Sequence, residues 1–352
     1  MDKQIQILDC TLRDGGLGLE DATKNKLSSV RFTDADMKKT ASFLTNAGID
    51  IIELGSIEIT EDDRHGFAIY PDIETISQRM PANKKEGQIF AALYRGPDTP
   101  LDEIPDWNEN LCEAVRVIIR YSELEKSLDF CAALSKKGYE VFVQPMLTMR
   151  YTDEEIQMLI KSSNEMNAYA LYFVDSYGYM QKEDIQRLFG VYDRGLKPAI
   201  RIGFHAHNNM NLAFANVLSF IDNTSSRQVI IDSCILGMGQ GAGNLQTELL
   251  VGFLDEEKYN FNAVLNACEI IENYNGSGLW GYSVTRLLPA LYKTAYKYSI
   301  ALRNHYNLTY EEINTVLSQM PEDLKQRYTP GNVVKLLKCT GLKNKFGIED
   351  IV

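Results

Sequence analysis

Eight apolar, β-branched runs recur along the chain with helix-patterned segments between them. This alternation, more than any single motif, limits what the chain can fold into. The runs are Ile5–Cys10, Asp50–Gly55, Gln88–Tyr94, Ala114–Tyr121, Tyr139–Gln144, Ala168–Val174, Ile200–His207 and Gln228–Ile235. Most are continuous in apolar character rather than alternating, as expected of parallel strands covered on both faces. Between them, Thr33–Ala47 opens on a good N-cap residue and stops at Gly48, and Ser122–Lys137 stops at Gly138. Thr152–Met166 starts with a capping box of Thr152 and Glu155, Lys182–Arg194 ends at Gly195, and Met210–Asn223 follows the seventh run. Strand–helix alternation repeated eight times predicts an α/β fold, the TIM (β/α)8 barrel, over residues 1–258.

Beyond the charged linker Asp255–Tyr259 the strand pattern stops. Phe261–Glu272 and Val284–Asn304 read as helices, Thr309 with Glu312 forms another capping box, and Pro330 stands at a first helical position before Val333–Leu337. Residues 259–352 therefore read as a C-terminal helical appendage. Packing or oligomerisation is the plain role for it, and lining the barrel mouth is the alternative for its Tyr-rich middle.

A net charge of −12 argues against a nucleic-acid or membrane-surface role. No apolar run reaches membrane-spanning length, and the first ten residues lack the apolar core of a signal peptide. Six scattered cysteines without a CxxC pair fit reduced thiols in a cytoplasm.

In such a barrel the chemistry sits at the C-terminal ends of the strands. In Ile200–His207, residues two apart share a side, so His205 and His207 project together. Asp14 lies one strand away around the closed barrel, and Asn244 sits in the glycine-rich segment 237–248. One carboxylate, two imidazoles and an amide oxygen make a mixed N/O set without thiolate. That set favours Mn²⁺ or Mg²⁺, with Co²⁺, Fe²⁺ and Zn²⁺ also compatible. Arg13 adjoins Asp14, where a guanidinium beside a metal can stabilise a forming oxyanion. The other strand ends offer Glu53, Tyr94, Gln144 and Ser176 as substrate contacts. The glycine-rich segment lacks the Lys-Ser/Thr of a phosphate loop and follows the last strand, so a dinucleotide role is rejected.

The segments DCTLRDGG, VDSYG, GFHAHNN and GMGQGAGNLQTELL, in this order over residues 4–254, resemble the DRE-TIM metallolyase superfamily, HMG-CoA lyase-like barrels. Within it the chain looks most similar to the 4-hydroxy-2-oxovalerate aldolase branch. The resemblance implies Asp14, His205, His207 and Asn244 as metal ligands, and Arg13 as the donor to an enolate oxygen. It implies polar pocket positions at Glu53 and Ser176. The implied reaction makes or breaks a C–C bond of a 4-hydroxy-2-oxo acid, with an aldehyde as the other product and a pyruvate-type enolate stabilised by the metal. It also implies a homo-oligomer whose appendage packs near the site and can dock an aldehyde dehydrogenase.

One position departs from the pattern. The family's aldolases carry a basic histidine three residues after the metal aspartate, where this chain has Leu17. Three groups are candidates for the base: His65 in the loop after the second strand, and Tyr282 and Tyr292 in the appendage. A Claisen-type acyltransferase and a catalytically weakened barrel that binds a partner enzyme are the competing readings.

Overall fold

In the computed structural model, residues 5–59, 63–223, 227–255, 257–275 and 279–340 are described. The first half of the barrel runs β1 (Ile5–Asp9), α1 (Thr11–Lys24), α2 (Asp34–Ala47), β2 (Ile51–Ile57), β3 (Ile69–Tyr70), α3 (Ile73–Ser77), β4 (Ile89–Tyr94), β5 (Ala114–Ile119) and α4 (Leu124–Lys136). The second half runs β6 (Glu140–Pro145), α5 (Asp153–Met166), β7 (Ala170–Asp175), α6 (Lys182–Gly195), β8 (Arg201–Ala206), α7 (Ala213–Asp222), β9 (Val229–Ser233) and α8 (Thr247–Leu254). The helices α9 (Phe261–Asn275), α10 (Val284–Leu291), α11 (Lys297–Asn304), α12 (Tyr310–Ser318), α13 (Glu322–Lys325) and α14 (Pro330–Cys339) follow.

The eight expected strands form one all-parallel sheet that closes on itself, because β1 pairs with β9 on one side and with β2 on the other. This is the TIM barrel. The two-residue β3 is an addition, hanging on the end of β2 through Ser56 and Ile57.

Strand parity sorts the core into two. Ile7, Ile52, Phe90, Tyr94, Val115, Phe173 and Phe204 point outward under the helices. Leu8, Ile51, Ala91, Ala114, Phe142, Tyr172 and Ile230 fill the barrel interior. Gly203 is required by this filling, since a Cβ there would lie 2.3 Å from the Tyr172 ring. Tyr94 shares the outward face with Phe90 and stacks edge-on against Phe130 of α4, with centroids 5.4 Å apart. It is therefore a core residue, and its expected role as a substrate contact at the mouth does not hold.

The segment Thr11–Lys24 is the main departure from the expected loop after the first strand. It is a 14-residue helix whose start is held by Asp9, which accepts the Thr11 N–H at 2.9 Å. Gly15 and Gly16 disfavour a helix intrinsically. They are tolerated because the loops of the mouth press onto the helix. A Cβ on Gly16 would lie 2.0 Å from the Phe67 carbonyl oxygen.

The C-terminal region also divides differently from its sequence pattern. Tyr259, Val264, Ala267, Ile271, Tyr274 and Trp280 are part of the barrel's core, so α9 belongs to the barrel by its packing. A second, separate core begins at Leu288 and runs through Tyr298, Leu302, Ile313, Val316, Leu317, Leu336 and Leu337. The expected long helix over Val284–Asn304 is split into α10 and α11, with Pro289 inside the first piece. Thr309 and Glu312 form the capping box, and Thr329 caps α14 with Pro330 at its start. Among the described residues no helix is long and apolar enough to cross a membrane.

Gly16→Ala should destabilise the protein by about 1–3 kcal/mol in urea unfolding, because a backbone carbonyl must move to admit the methyl group. Gly331→Ala, where the nearest atom lies 3.8 Å away, should be neutral or slightly stabilising.

Candidate metal centre and active site

His205 is the inward-facing residue at the end of β8, and His207 follows two residues on. The strand does not end cleanly there. His207 makes an isolated antiparallel bridge with Asn244, and the Asn208 N–H donates to the Gly243 carbonyl at 2.8 Å. This bridge carries Asn244, 37 residues later in sequence, to the side of the histidines. Asp14 arrives from the first turns of α1.

The ligand atoms of Asp14, His205 and His207 all lie within 4.8 Å of one another. Each imidazole is oriented through its far nitrogen. His205 Nδ1 lies 2.9 Å from the Asp232 carboxylate, and His207 Nδ1 lies 3.0 Å from the Asp175 carbonyl oxygen, so Nδ1–H donates in each case. Both Nε2 atoms are left for the cavity, an arrangement common in metal-binding histidines. The Asn244 amide donates to Asp14 at 2.5 Å, and its buried oxygen has no protein partner. Gly239 passes over the group so closely that a Cβ would fall 2.3 Å from the Asn244 amide nitrogen and 2.4 Å from the Asp14 carboxylate. A buried carboxylate, two oriented imidazoles, an orphaned amide oxygen and a glycine cradle fit a divalent ion with mixed N/O ligands.

The electrostatics agree. Burial would raise the Asp14 carboxyl, but Arg13, then His207, His205 and Asn244, hold it down at about 2. Burial, helped by the neighbouring His205, lowers His207 to about 4, so that ring is neutral and free to ligate. Burial would also lower His205, yet its Asp232 partner and Cys10 raise it to about 9, so this ring must release its Nε2 proton when a metal binds.

Arg13 is fixed on two sides. Its Nε donates to Glu53 at 2.8 Å and one terminal nitrogen donates to Asp14 at 2.6 Å. The other terminal nitrogen is buried and has no protein partner. Glu53 is fully buried and holds Arg13 and Arg116, so it positions the site from beneath rather than contacting substrate. Arg116, also fully buried, reaches Glu53 at 2.9 Å with one nitrogen and Asp232 at 2.5 Å with another. Sequence reading passed over Arg116 because it lies mid-strand in AVRVII. Its parity with Ala114 was the available signal.

A cavity of about 290 Å³ opens above this group. Arg13, Asp14, His205 and His207 line its floor, with Leu17, Gln144, Ser176 and Asn209 around them. Ala295, Tyr296, Lys297, Gln326, Arg327 and Tyr328 form its roof. The appendage thus lines the barrel mouth, the alternative role given to its Tyr-rich middle. Gln144 keeps an unpartnered buried amide oxygen. Ser176 lines the cavity, but its hydroxyl accepts the Leu147 N–H at 2.8 Å and so also holds the β6–α5 loop.

None of the three expected candidates for the base lines the cavity. His65 lies 3.1 Å from Asp34 and edge-on to Tyr70, on the flank of α2. Tyr282 is 55% exposed and lines no described cavity with the metal-site residues. Tyr292 donates to Asn314 on the appendage surface, 2.7 Å away. Cys234 is core, as expected, but lies directly beneath the site, 3.3 Å from both Cys10 Sγ and the Asn244 amide.

His205→Ala combined with His207→Ala should abolish bound Mn²⁺ in metal analysis while leaving the circular-dichroism spectrum intact. Arg116→Met should cost about 3–5 kcal/mol in unfolding, because Glu53 and Asp232 lose a buried counter-charge. Retained stoichiometric metal in the first variant, or wild-type stability in the second, would contradict the geometry above.

Residues 112–275 match the HMGL-like family model. The chain is 29% identical over 255 residues to 4-hydroxy-2-oxovalerate aldolase 2 of Comamonas testosteroni, covering 71% of this chain and 68% of that one. It is 27% identical over 253 residues to oxaloacetate decarboxylase of Mycobacterium tuberculosis, covering 70% and 69%. The fold matches the crystal structure of hydroxymethylglutaryl-CoA lyase from Pseudomonas aeruginosa with a TM-score of 0.59 at 16% identity, over 78% of this chain and 94% of that one. The closed parallel barrel, the segment matched by the family model and these relatives agree, and the chain is similar to the HMGL-like family over residues 112–275.

Proposed function

We propose that the chain is a divalent-metal-dependent lyase that makes or breaks a carbon–carbon bond of a 2-oxo acid through a pyruvate-type enolate. The observation that carries this reading is the free, buried N–H edge of Arg13 beside a carboxylate and two imidazoles poised for a metal. A divalent ion held by Asp14, His205, His207 and Asn244 would polarise the 2-oxo group as a Lewis acid.

The remaining tasks fall to the protein. Arg13, immobilised by Glu53 and Asp14, directs its unpaired nitrogen at the oxygen that becomes anionic. Such a preset donor in a buried site contributes roughly a hundredfold or more in rate. Gln144 offers a polar contact to the substrate from the cavity wall. The roof from the appendage excludes water, which strengthens each of these interactions. A cavity of about 290 Å³ suits a small acid.

The leading substrate class is a 4-hydroxy-2-oxo acid, cleaved to the enolate and an aldehyde. The relatives named 4-hydroxy-2-oxovalerate aldolase support it. Leu17 favours a second reading, decarboxylation of a 2-oxo diacid. When carbon dioxide is the departing group the bond breaks without a base, whereas aldol cleavage needs one for the hydroxyl proton. The relative named oxaloacetate decarboxylase fits this alternative. Both readings share the enolate.

Exchange of the methyl protons of pyruvate with D₂O, followed by NMR, tests the shared step without choosing between them. Exchange should require Mn²⁺ or Mg²⁺ and stop on chelation. Arg13→Ala should keep the metal and lose at least about a hundredfold in exchange rate. A metal-loaded wild-type protein that leaves the methyl protons untouched would sink the enolate reading.

A further inference from the structure

Leu17 leaves a gap on a well-defined surface. Residues 14, 17 and 21 recur at helical spacing, so Asp14, Leu17 and Asp21 lie along one face of α1. Asp14 stands at the metal centre and Leu17 lines the cavity. Asp21 is one turn further out, beyond direct reach of the floor. Its carboxylate is met there by the roof. The Tyr296 hydroxyl donates to Asp21 Oδ2 at 2.5 Å, and Lys297 Nζ lies 2.8 Å from the same carboxylate. Tyr296 itself lines the cavity over the metal residues.

The tyrosine is held in place by its ring as well as its hydroxyl. Gly241, in the loop that carries Asn244, lies flat against it. A Cβ on Gly241 would fall 2.9 Å from the ring. The same loop therefore seats one expected metal ligand and the roof tyrosine.

We propose that Tyr296, hydrogen-bonded to Asp21, is the catalytic proton-transfer group that replaces a base at position 17. This rests on the enolate reading given above. In aldol cleavage the substrate hydroxyl gives its proton to Tyr296 Oη as the phenolic proton passes to Asp21. The electrons of the broken O–H bond form the aldehyde carbonyl, and those of the broken C–C bond form the enolate. In pyruvate the same relay takes a methyl proton and leaves the same enolate. Reversal returns the proton, so no oxidant or co-reactant is needed.

The other polar groups of the cavity are less suited to accept a proton. Lys297 is already engaged as a cation with Asp21, and the Ser176 hydroxyl is committed to the Leu147 N–H. Tyr328 packs edge-on to Tyr298 in the second core. Burial and the Asp21 carboxylate push the Tyr296 phenol well up. A phenol that stays protonated accepts a second proton only by handing on its own, which is what the carboxylate behind it allows.

The test is the D₂O exchange of pyruvate with Mn²⁺-loaded protein, comparing wild type with Tyr296→Phe, Asp21→Asn and Asp21→Ala. Tyr296→Phe keeps the ring on Gly241, and Asp21→Asn keeps the side-chain shape, so the relay is probed from both ends. Both variants should retain stoichiometric Mn²⁺ and a near-unchanged KM for pyruvate, while the exchange turnover falls about a hundredfold or more. Added formate should restore exchange to Asp21→Ala, an effect that a purely structural aspartate would not show. Exchange within about threefold of wild type in either Tyr296→Phe or Asp21→Asn overturns the relay, since removal of a general base costs far more. So does a loss accompanied by loss of Mn²⁺, or a failure of formate to rescue. Absence of exchange in wild type overturns the enolate reading itself and the relay with it, and so separates the two failures.

Discussion

The site depends on one buried cation. Arg116 stands inside the barrel without solvent contact and bridges Glu53 to Asp232. Glu53 holds Arg13, and Asp232 orients His205. A single guanidinium beneath the floor therefore ties Arg13, the proposed oxyanion donor, to His205 of the candidate metal site. Taking such a group out of water is costly, and its two carboxylates offset that cost only while the geometry is kept. The desolvated network is better understood as a device that fixes geometry than as a source of net stability. The cation–π contact of Arg116 over Tyr172, 4.8 Å from the ring centroid, packs its remaining face.

The charges of this network leave a remainder that explains the floor. Among the described residues, the permanently charged partners of Asp14, Glu53 and Asp232 are Arg13 and Arg116. One excess negative charge is left inside a low-dielectric barrel. Without a metal, the nearest group able to answer it is His205, raised to about 9 through Asp232. A divalent ion between Asp14, His205 and His207 answers the same charge more completely. The attraction for a cation is thus set in part by Glu53 and Asp232, which would not touch it. Replacing Glu53 or Asp232 by a neutral residue would alter metal affinity even with every ligand intact.

Much of this arrangement follows from strand parity, which is why it could be read in part from the sequence. His205 and His207 were legible because they sit two apart at a strand end. The same rule read from Phe90 through Ala92 would have turned Tyr94 outward, and from Ala114 would have turned Arg116 inward. The helix α1 was not legible. Gly15 and Gly16 lower its intrinsic stability, and only the press of distant segments such as the Phe67 carbonyl shows why they are glycines. The appendage was least legible of all. Helical periodicity finds its helices but cannot say which end faces the barrel, so Tyr282 and Tyr292 were expected at the mouth and Tyr296 was not. What separates them is tertiary: Tyr296 meets Gly241 and Asp21, whereas Tyr282 meets solvent.

The roof changes how the loss at position 17 should be understood. A base carried on α1 would act from within the barrel, whatever the appendage did. Here the cavity is roofed by residues from the region of the second core, attached through Asn209 to Arg286, Arg150 to Lys325 and Tyr296 to Asp21. These contacts fall on the loops after β6 and β8 and on α1, the elements that carry or flank the floor residues. A shift of the second core would therefore open the cavity and separate Tyr296 from Asp21 together. Water exclusion and proton transfer would then be gained and lost as one event. In the proposed reaction, an enolate would be exposed to water only when the group proposed to move its proton has also withdrawn.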